Sequence, residues 1–205
     1  MNIGIIGAGR VGSTLAKRWA AQGHAVMLGA RDPKSDKARA ALAKAKGATA
    51  GSYANAAAFS EVILLAVPGE SLHETLAGLG NLRGKILIDA ANWFGHKPAG
   101  VTASLAEAVA EWAAGASVVK AFNMTGTGNM ADPDYAGVKA DLFICGDDTA
   151  AKAIVSELAS SIGFEMVDAG PLSVAGLLES LAQLWVHLAY AQGMGPDIAW
   201  KLLRR

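Results

Sequence analysis

The first thirty residues admit few architectures. An apolar β-prone run, Asn2 to Ile6, passes directly into Gly7-Ala8-Gly9-Arg10-Val11-Gly12; a helical stretch from Val11 to Gln22 then leads through Gly23 to a second apolar run, Ala25 to Gly29. In a chain with 24 glycines a GxGxxG match alone carries little weight. Between a strand and a helix, with a second strand following, it becomes the unit that cradles a dinucleotide pyrophosphate. Gly7 permits the tight turn, Gly9 lets phosphate approach the backbone, and Gly12 lets the helix pack closely on the strand. The helix N-terminus then offers free N–H groups and a positive dipole end. The competing reading is a glycine-rich turn that holds nothing.

The rhythm continues along the chain. Further strand candidates are Val62 to Val67, Ile86 to Asp89, Ser117 to Ala121, Leu142 to Cys145 and Glu165 to Asp168, with a weaker one at Ala48 to Ala50. Several are unbroken apolar runs, which suit strands buried on both faces. Helices are expected over Lys34 to Ala45, Ser71 to Leu79, Ala103 to Trp112 and Ala150 to Ile162, with Gly23, Gly47, Gly80, Gly115 and Gly163 as C-terminal caps. Strands alternating with helices predict an α/β fold: a Rossmann-type, doubly wound, mostly parallel sheet over residues 1–168. Beyond Gly170 only helices are expected, with Pro171 and Pro196 in first turns and Gly193-Met194-Gly195 between two segments. Residues 169–205 thus read as a helical C-terminal extension, a roof over the site or a dimer face.

Composition narrows the partners. Eighteen basic residues against eighteen acidic ones leave no net charge, so neither nucleic acid nor an anionic membrane is an expected partner. The opening residues lack the basic and apolar regions of an export leader. Gly176 to Gly193, interrupted by Glu179, Gln183 and His187, falls short of the roughly 20 apolar residues of a membrane span and reads as a buried helix. A single cysteine, Cys145, and four scattered histidines predict a cytoplasmic protein without a structural metal.

The end of the second strand sets the cofactor. An acidic residue there would hold the ribose hydroxyls of NAD, but the chain reads Gly29-Ala30-Arg31. A guanidinium suits a 2′-phosphate, so NADP(H) is favoured, with Arg10 and Lys34 as further neutralising groups. Asp32 could instead reach the ribose, and Lys34 and Lys37 also read as a solvated helix face.

Ala66-Val67-Pro68 and Asp89-Ala90-Ala91-Asn92 end two strands, and Val119-Lys120-Ala121-Phe122-Asn123 ends a third. With Gly146-Asp147-Asp148, Ala151-Lys152 and Asp168-Ala169-Gly170-Pro171-Leu172, these segments resemble the NADPH-dependent coenzyme F420 reductases, the F420H2:NADP oxidoreductases, over nearly the whole chain. The resemblance implies hydride transfer between NADPH and a deazaflavin or flavin-like ring. It implies Gly7, Ala8, Gly9, Arg10, Val11, Gly12, Ala30 and Arg31 as the dinucleotide site, and Ala66, Val67 and Pro68 beside the nicotinamide. Ala121 and Asn123 would orient its carboxamide, with Asn92 as a further candidate. Ala30 stands where the family carries a serine or threonine, which removes one hydroxyl from the 2′-phosphate site. Similar folds occur in membrane ferric reductases, which pass hydride to flavin.

Hydride transfer between two rings needs no obligatory proton shuttle, in keeping with the lack of a Ser, His and Asp set or a Ser, Tyr and Lys signature. Pro68 and Asn123 are the expected residues at the reacting ring, Asn123 alternatively ending its strand in an Asx turn. His187 reads as structural or, if the acceptor takes a proton, as an acid. Trp185, Tyr190 and Trp200 read as packing or interface aromatics. Two other functions stay open: reduction of a small imine or carbonyl compound, with His187 or Tyr190 as proton donor, and a non-catalytic NADP(H)-binding redox sensor. A homodimer is expected, because the apolar C-terminal helices need a surface to bury against.

Overall fold

A computed structural model describes residues 1–205. Eight strands form one sheet: β1 (Asn2–Ile6), β2 (Ala25–Gly29), β3 (Thr49–Gly51), β4 (Val62–Leu65), β5 (Ile86–Asp89), β6 (Ser117–Lys120), β9 (Asp141–Gly146) and β10 (Glu165–Asp168). Two more, β7 (Asp134–Tyr135) and β8 (Val138–Lys139), make a separate hairpin. The sheet order is β10-β9-β6-β5-β4-β1-β2-β3. From β3 to β6 this is the Rossmann order with every pair parallel, and β1 and β4 flank the point where the order reverses. The mostly parallel α/β fold expected from the sequence is the fold observed. β9 runs antiparallel to β6 and carries β10 parallel to itself.

Unbroken apolar runs become central strands because both faces are covered. In β4, Val62 and Leu64 enter one buried cluster with Leu15 and Trp19, while Ile63 and Leu65 enter the opposite cluster with Leu72 and Leu105. α1 (Arg10–Ala21), α2 (Asp36–Lys44) and α7 (Thr149–Ser161) supply the first layer; α3 (Tyr53–Phe59), α4 (Leu72–Ala77), α5 (Leu105–Trp112) and α8 (Ala175–Val186) supply the second. The five glycines expected as C-terminal caps all take left-handed φ values, from 82° to 106°. Cys145 lies fully buried in the second cluster, and burial pushes its thiol up to about 12. In the native protein it is therefore expected to resist a disulfide thiol reagent and to react stoichiometrically only in denaturant; native labelling would show that the cluster opens.

Three elements went unread in the sequence. α3 is signalled only by its capping box, in which Ser52 and Asn55 bond each other's backbone N–H groups. α6 (Thr127–Ala131) has a glycine-containing sequence of low helix propensity and rests on tertiary bonds through Asn129. The β7–β8 hairpin turns on Ala136 and Gly137, both at positive φ, where Asn-Gly would have been the recognisable pair.

The C-terminal extension departs from expectation. The helical run Leu172–Ala191 is 20 residues long and contains an 18-residue window of mean hydropathy 1.3, so length and composition alone would let it cross a bilayer. Here it packs Ala175, Leu178, Ala182 and Trp185 inward and carries Glu179 to a buried ion pair. After Pro196 there is no second helix. The segment runs as a strap, its backbone spent on other elements: Trp200 C=O accepts from Asp141 N–H, and Leu202 N–H donates to the Asp141 carboxylate. Lys201 fastens it by pairing with Asp141 and Glu165.

Candidate functional site

A cleft of about 790 Å³ opens at the C-terminal ends of β1, β4 and β5, where a sheet of this order binds ligands. Its floor is the glycine turn. Gly7 has φ 122°, and a Cβ there would stand 2.4 Å from the Ala66 carbonyl oxygen. A Cβ on Gly12 would stand 1.9 Å from the Gly7 carbonyl, so this residue sets the closeness of α1 to β1 while staying off the cleft wall. Gly9 has nothing within 4 Å of its Cβ direction, leaving free space above the backbone. It also caps α1 without a side-chain bond, so the first-turn N–H groups lack a side-chain partner. An unpaired helix N-terminus beside open space fits a pyrophosphate.

Arg10 and Arg31 line the same cleft, and so does Lys37, the second residue of α2. A smaller cavity of about 220 Å³ extends the trench past Arg31, Tyr53 and Val67 to Ser71 and Thr75. Lys34 is a correction: it lies outside the cleft, with its N–H bonded to Asp32 Oδ1 at 2.9 Å. Asp32 accepts in the same turn, and neither residue lines the cleft. Lys37 was passed over as a solvated residue; its place two residues beyond the Ser35 cap was the available signal.

Ala66, Val67 and Pro68 form one side of the cleft, and Asn92 lies on the other. Ala30 and Ala121 are buried behind the wall. Asn123 is a further correction. Its amide nitrogen donates to Asn92 Oδ1 at 3.0 Å and to the Leu178 carbonyl at 3.0 Å, so it ties the Asn92 loop to α8 and does not line the cleft. Phe122 at φ 62° makes the turn that swings Asn123 away, its ring held edge-on by Trp19 and Phe164. His187 is corrected likewise: it is exposed, and its ring nitrogen bonds the Gln192 amide at 3.1 Å.

Behind Asn92 lies a buried charge cluster. Lys120, fully buried, donates to Asp89 at 2.9 Å and to the Ala91 carbonyl at 2.7 Å, and pairs with Glu179 at 3.1 Å. Glu179 also accepts from the N–H groups of Leu105 and Ala106 at the start of α5 and from the Trp93 indole. One carboxylate from α8 thus fixes the loop after β5, the N-terminus of α5 and the end of β6.

The outer part of the cleft comprises Thr125, Gly126, Thr127, Trp185, Tyr190 and Asp197. A Cβ on Gly126 would meet the Trp185 ring at 2.7 Å, so glycine lets the indole pack closely against the backbone. Trp185 donates to the Ile198 carbonyl at 2.9 Å, and Trp200 to the Met124 carbonyl at 3.0 Å, fastening the strap across this end. Trp185 and Tyr190, read as packing residues, therefore also form site wall; Trp200 only packs.

Over an alignment 209 positions long, gaps included, that covers 92% of each chain, the protein is 31% identical to the F420-dependent NADP reductase of Methanocaldococcus jannaschii. It belongs to the F420-dependent NADP reductase family. Residues 2–93 match the family model described as NADP oxidoreductase coenzyme F420-dependent. The solved structure of a putative F420-dependent NADP reductase from an Arthrobacter species is 31% identical and superposes with a TM-score of 0.88, covering 98% of this chain and 99% of that one. Over 179 residues the chain is 32% identical to the metalloreductase STEAP3 of Rattus norvegicus, spanning 87% of this chain but only 36% of that protein. This F420-dependent NADP reductase family member shares its fold with the Arthrobacter protein, and its own cleft runs from the glycine turn to α8.

Proposed function

We propose that the protein transfers hydride between NADP(H) and a deazaflavin, coenzyme F420, or a flavin-like ring. The carrying observation is the single trench that joins a glycine turn without a side-chain cap and three cations at one end to an aromatic pocket with one carboxylate, Asp197, at the other. When bound, the dihydronicotinamide supplies the hydride and becomes an aromatic pyridinium, so the protein has only to hold two rings face to face. Gly7 to Val11 hold the pyrophosphate and Arg31 the 2′-phosphate, with Arg10 and Lys37 adding positive charge. Ala66, Val67 and Pro68 offer an apolar wall to the nicotinamide, and Asn92 is fixed for its carboxamide by a 2.6 Å bond to the Asn123 carbonyl. In this reading Asn123 is a positioning residue. An imine reduction would need a proton donor at the site: His187 is bonded to Gln192 outside it, which leaves Tyr190 on the cleft wall as the one candidate for that second reading.

Residues 1–168 form the dinucleotide part, and 169–205 its roof. A homodimer follows from the exposed apolar face of α8, where Leu177 and Leu184 are 69% and 46% uncovered. A free buried cysteine is compatible with a reducing cytoplasm.

The test is anaerobic mixing with NADPH, following nicotinamide absorbance with F420, with FMN and without acceptor. Oxidation with the deazaflavin supports the reading; NADPH binding without oxidation by either ring turns it to the redox sensor. Arg31→Ala is expected to weaken NADPH about 10- to 100-fold and to leave NADH nearly unchanged. Lys37→Ala should cost about fivefold. Equal losses for both dinucleotides would place the 2′-phosphate elsewhere.

A further inference from the structure

The outer end of the cleft has a hydrogen-bond polarity that can be worked out atom by atom. The Asn129 side chain is 2.8 Å from the Ile198 carbonyl, which can only accept. That fixes the amide nitrogen on this side and the amide oxygen toward the Tyr135 hydroxyl, 2.7 Å away. The second amide hydrogen is donated to Thr125 Oγ1 at 2.9 Å. Thr125 is therefore an acceptor within the protein. Its own single proton has no protein partner, and the residue lines the cleft.

Charge adds an independent constraint. Arg10, Arg31 and Lys37 all belong to the glycine turn and to the segment after β2. The segments that carry Thr125, Trp185 and Tyr190 to the wall, 125–128 and 185–197, contribute one charged side chain to it, the acid Asp197. Those segments offer an anionic group one carboxylate and no cation. A ring with a carbonyl on its edge meets the Trp185 indole, the Tyr190 ring and one donor.

We propose that the hydride acceptor is held by its ring alone, through a hydrogen bond donated by Thr125 Oγ1 to a ring carbonyl, with no ion pair to an anionic tail. This rests on the hydride-transfer reading of the same cleft. Charge that arrives with the hydride spreads over the carbonyl edge of such a ring, so a fixed donor there also favours transfer. Asn129 is a positioning residue, since it keeps the Thr125 proton turned outward.

The experiment compares two probes in the presence of NADP: 8-hydroxy-5-deazariboflavin, which has no phosphate or glutamate tail, and coenzyme F420, which has both. Affinity is read from quenching of deazaflavin fluorescence, separately from turnover. The two dissociation constants are expected within about threefold of each other and insensitive to salt. Thr125→Val should weaken both probes about tenfold with NADPH affinity unchanged, and Thr125→Ser should restore binding. Tenfold tighter binding of F420 than of the tail-less ring overturns the proposal, as does full binding by Thr125→Val or failure of the wild type to bind either probe. Binding that follows the expected pattern without NADPH oxidation upholds it and removes the hydride-transfer reading. Turnover restricted to F420 does the reverse.

Discussion

Lys120→Ala is expected to lower folding stability by about 3–5 kcal/mol, a large share of the roughly 5–15 kcal/mol by which a typical domain is stable. The substitution removes the only cation from a cluster that is otherwise two carboxylates, Asp89 fully buried and Glu179 nearly so. A carboxylate without its counter-charge must either stay ionised in a low-dielectric interior or take up a proton and lose bonds that the Trp93, Leu105 and Ala106 N–H groups now donate. The cluster is demanding as well as supportive. Lys120→Met combined with Asp89→Asn and Glu179→Gln, which removes all three charges, should recover at least half of the loss. Chemical denaturation of the wild type, the single variant and the triple variant decides this; a single variant within about 1 kcal/mol of wild type would mean that water reaches the cluster.

Two glycines of one motif should fail in opposite ways. Gly12→Ala drives a methyl group to 1.9 Å from the Gly7 carbonyl and 3.1 Å from Ile5, so α1 must move off β1. A melting temperature lower by several degrees, with nucleotide affinity falling in step, is the expected result. At Gly9 the methyl group enters empty space at an ordinary φ of −80°. Stability should hold within about 1 °C while NADPH affinity falls tenfold or more, because the methyl group occupies the space left for phosphate. Thermal melts paired with NADPH titrations separate the two. Matching profiles for both variants would remove the distinction between a packing glycine and a ligand glycine.

The sheet and the glycine turn were legible because their determinants are local. Unbroken runs such as Val62 to Leu65 reported strands covered on both faces, and Gly7, Gly9 and Gly12 carried their geometry in their spacing. What escaped depends on partners distant in sequence. Asn123 looked like a ligand-binding residue at a strand end, but Phe122 takes a positive φ and turns it toward Leu178, 55 residues on. His187 stands on an apolar helix and would be expected to point inward, yet it lies on the solvent side of a π-turn spanning His187–Ala191. Lys34 and Lys37 are separated by less than one helical turn, and only the position of the Ser35 cap decides which one reaches the cleft. Thr125 and Asn129 sit in a short helix region that carries no periodic signal, and their alignment depends on the strap some seventy residues later.

Of the five tryptophans, Trp185 alone lies on the cleft wall, with its indole packed against Gly126 and its N–H held by Ile198. The molecule therefore carries an optical probe at the point where the second ring would stack. Indole emission overlaps the absorption of a dihydronicotinamide and of a deazaflavin, so each arrival at the cleft should dim it by energy transfer. Occupancy of this end of the trench can be followed in the unlabelled protein, on the timescale of mixing, before any chemistry has begun.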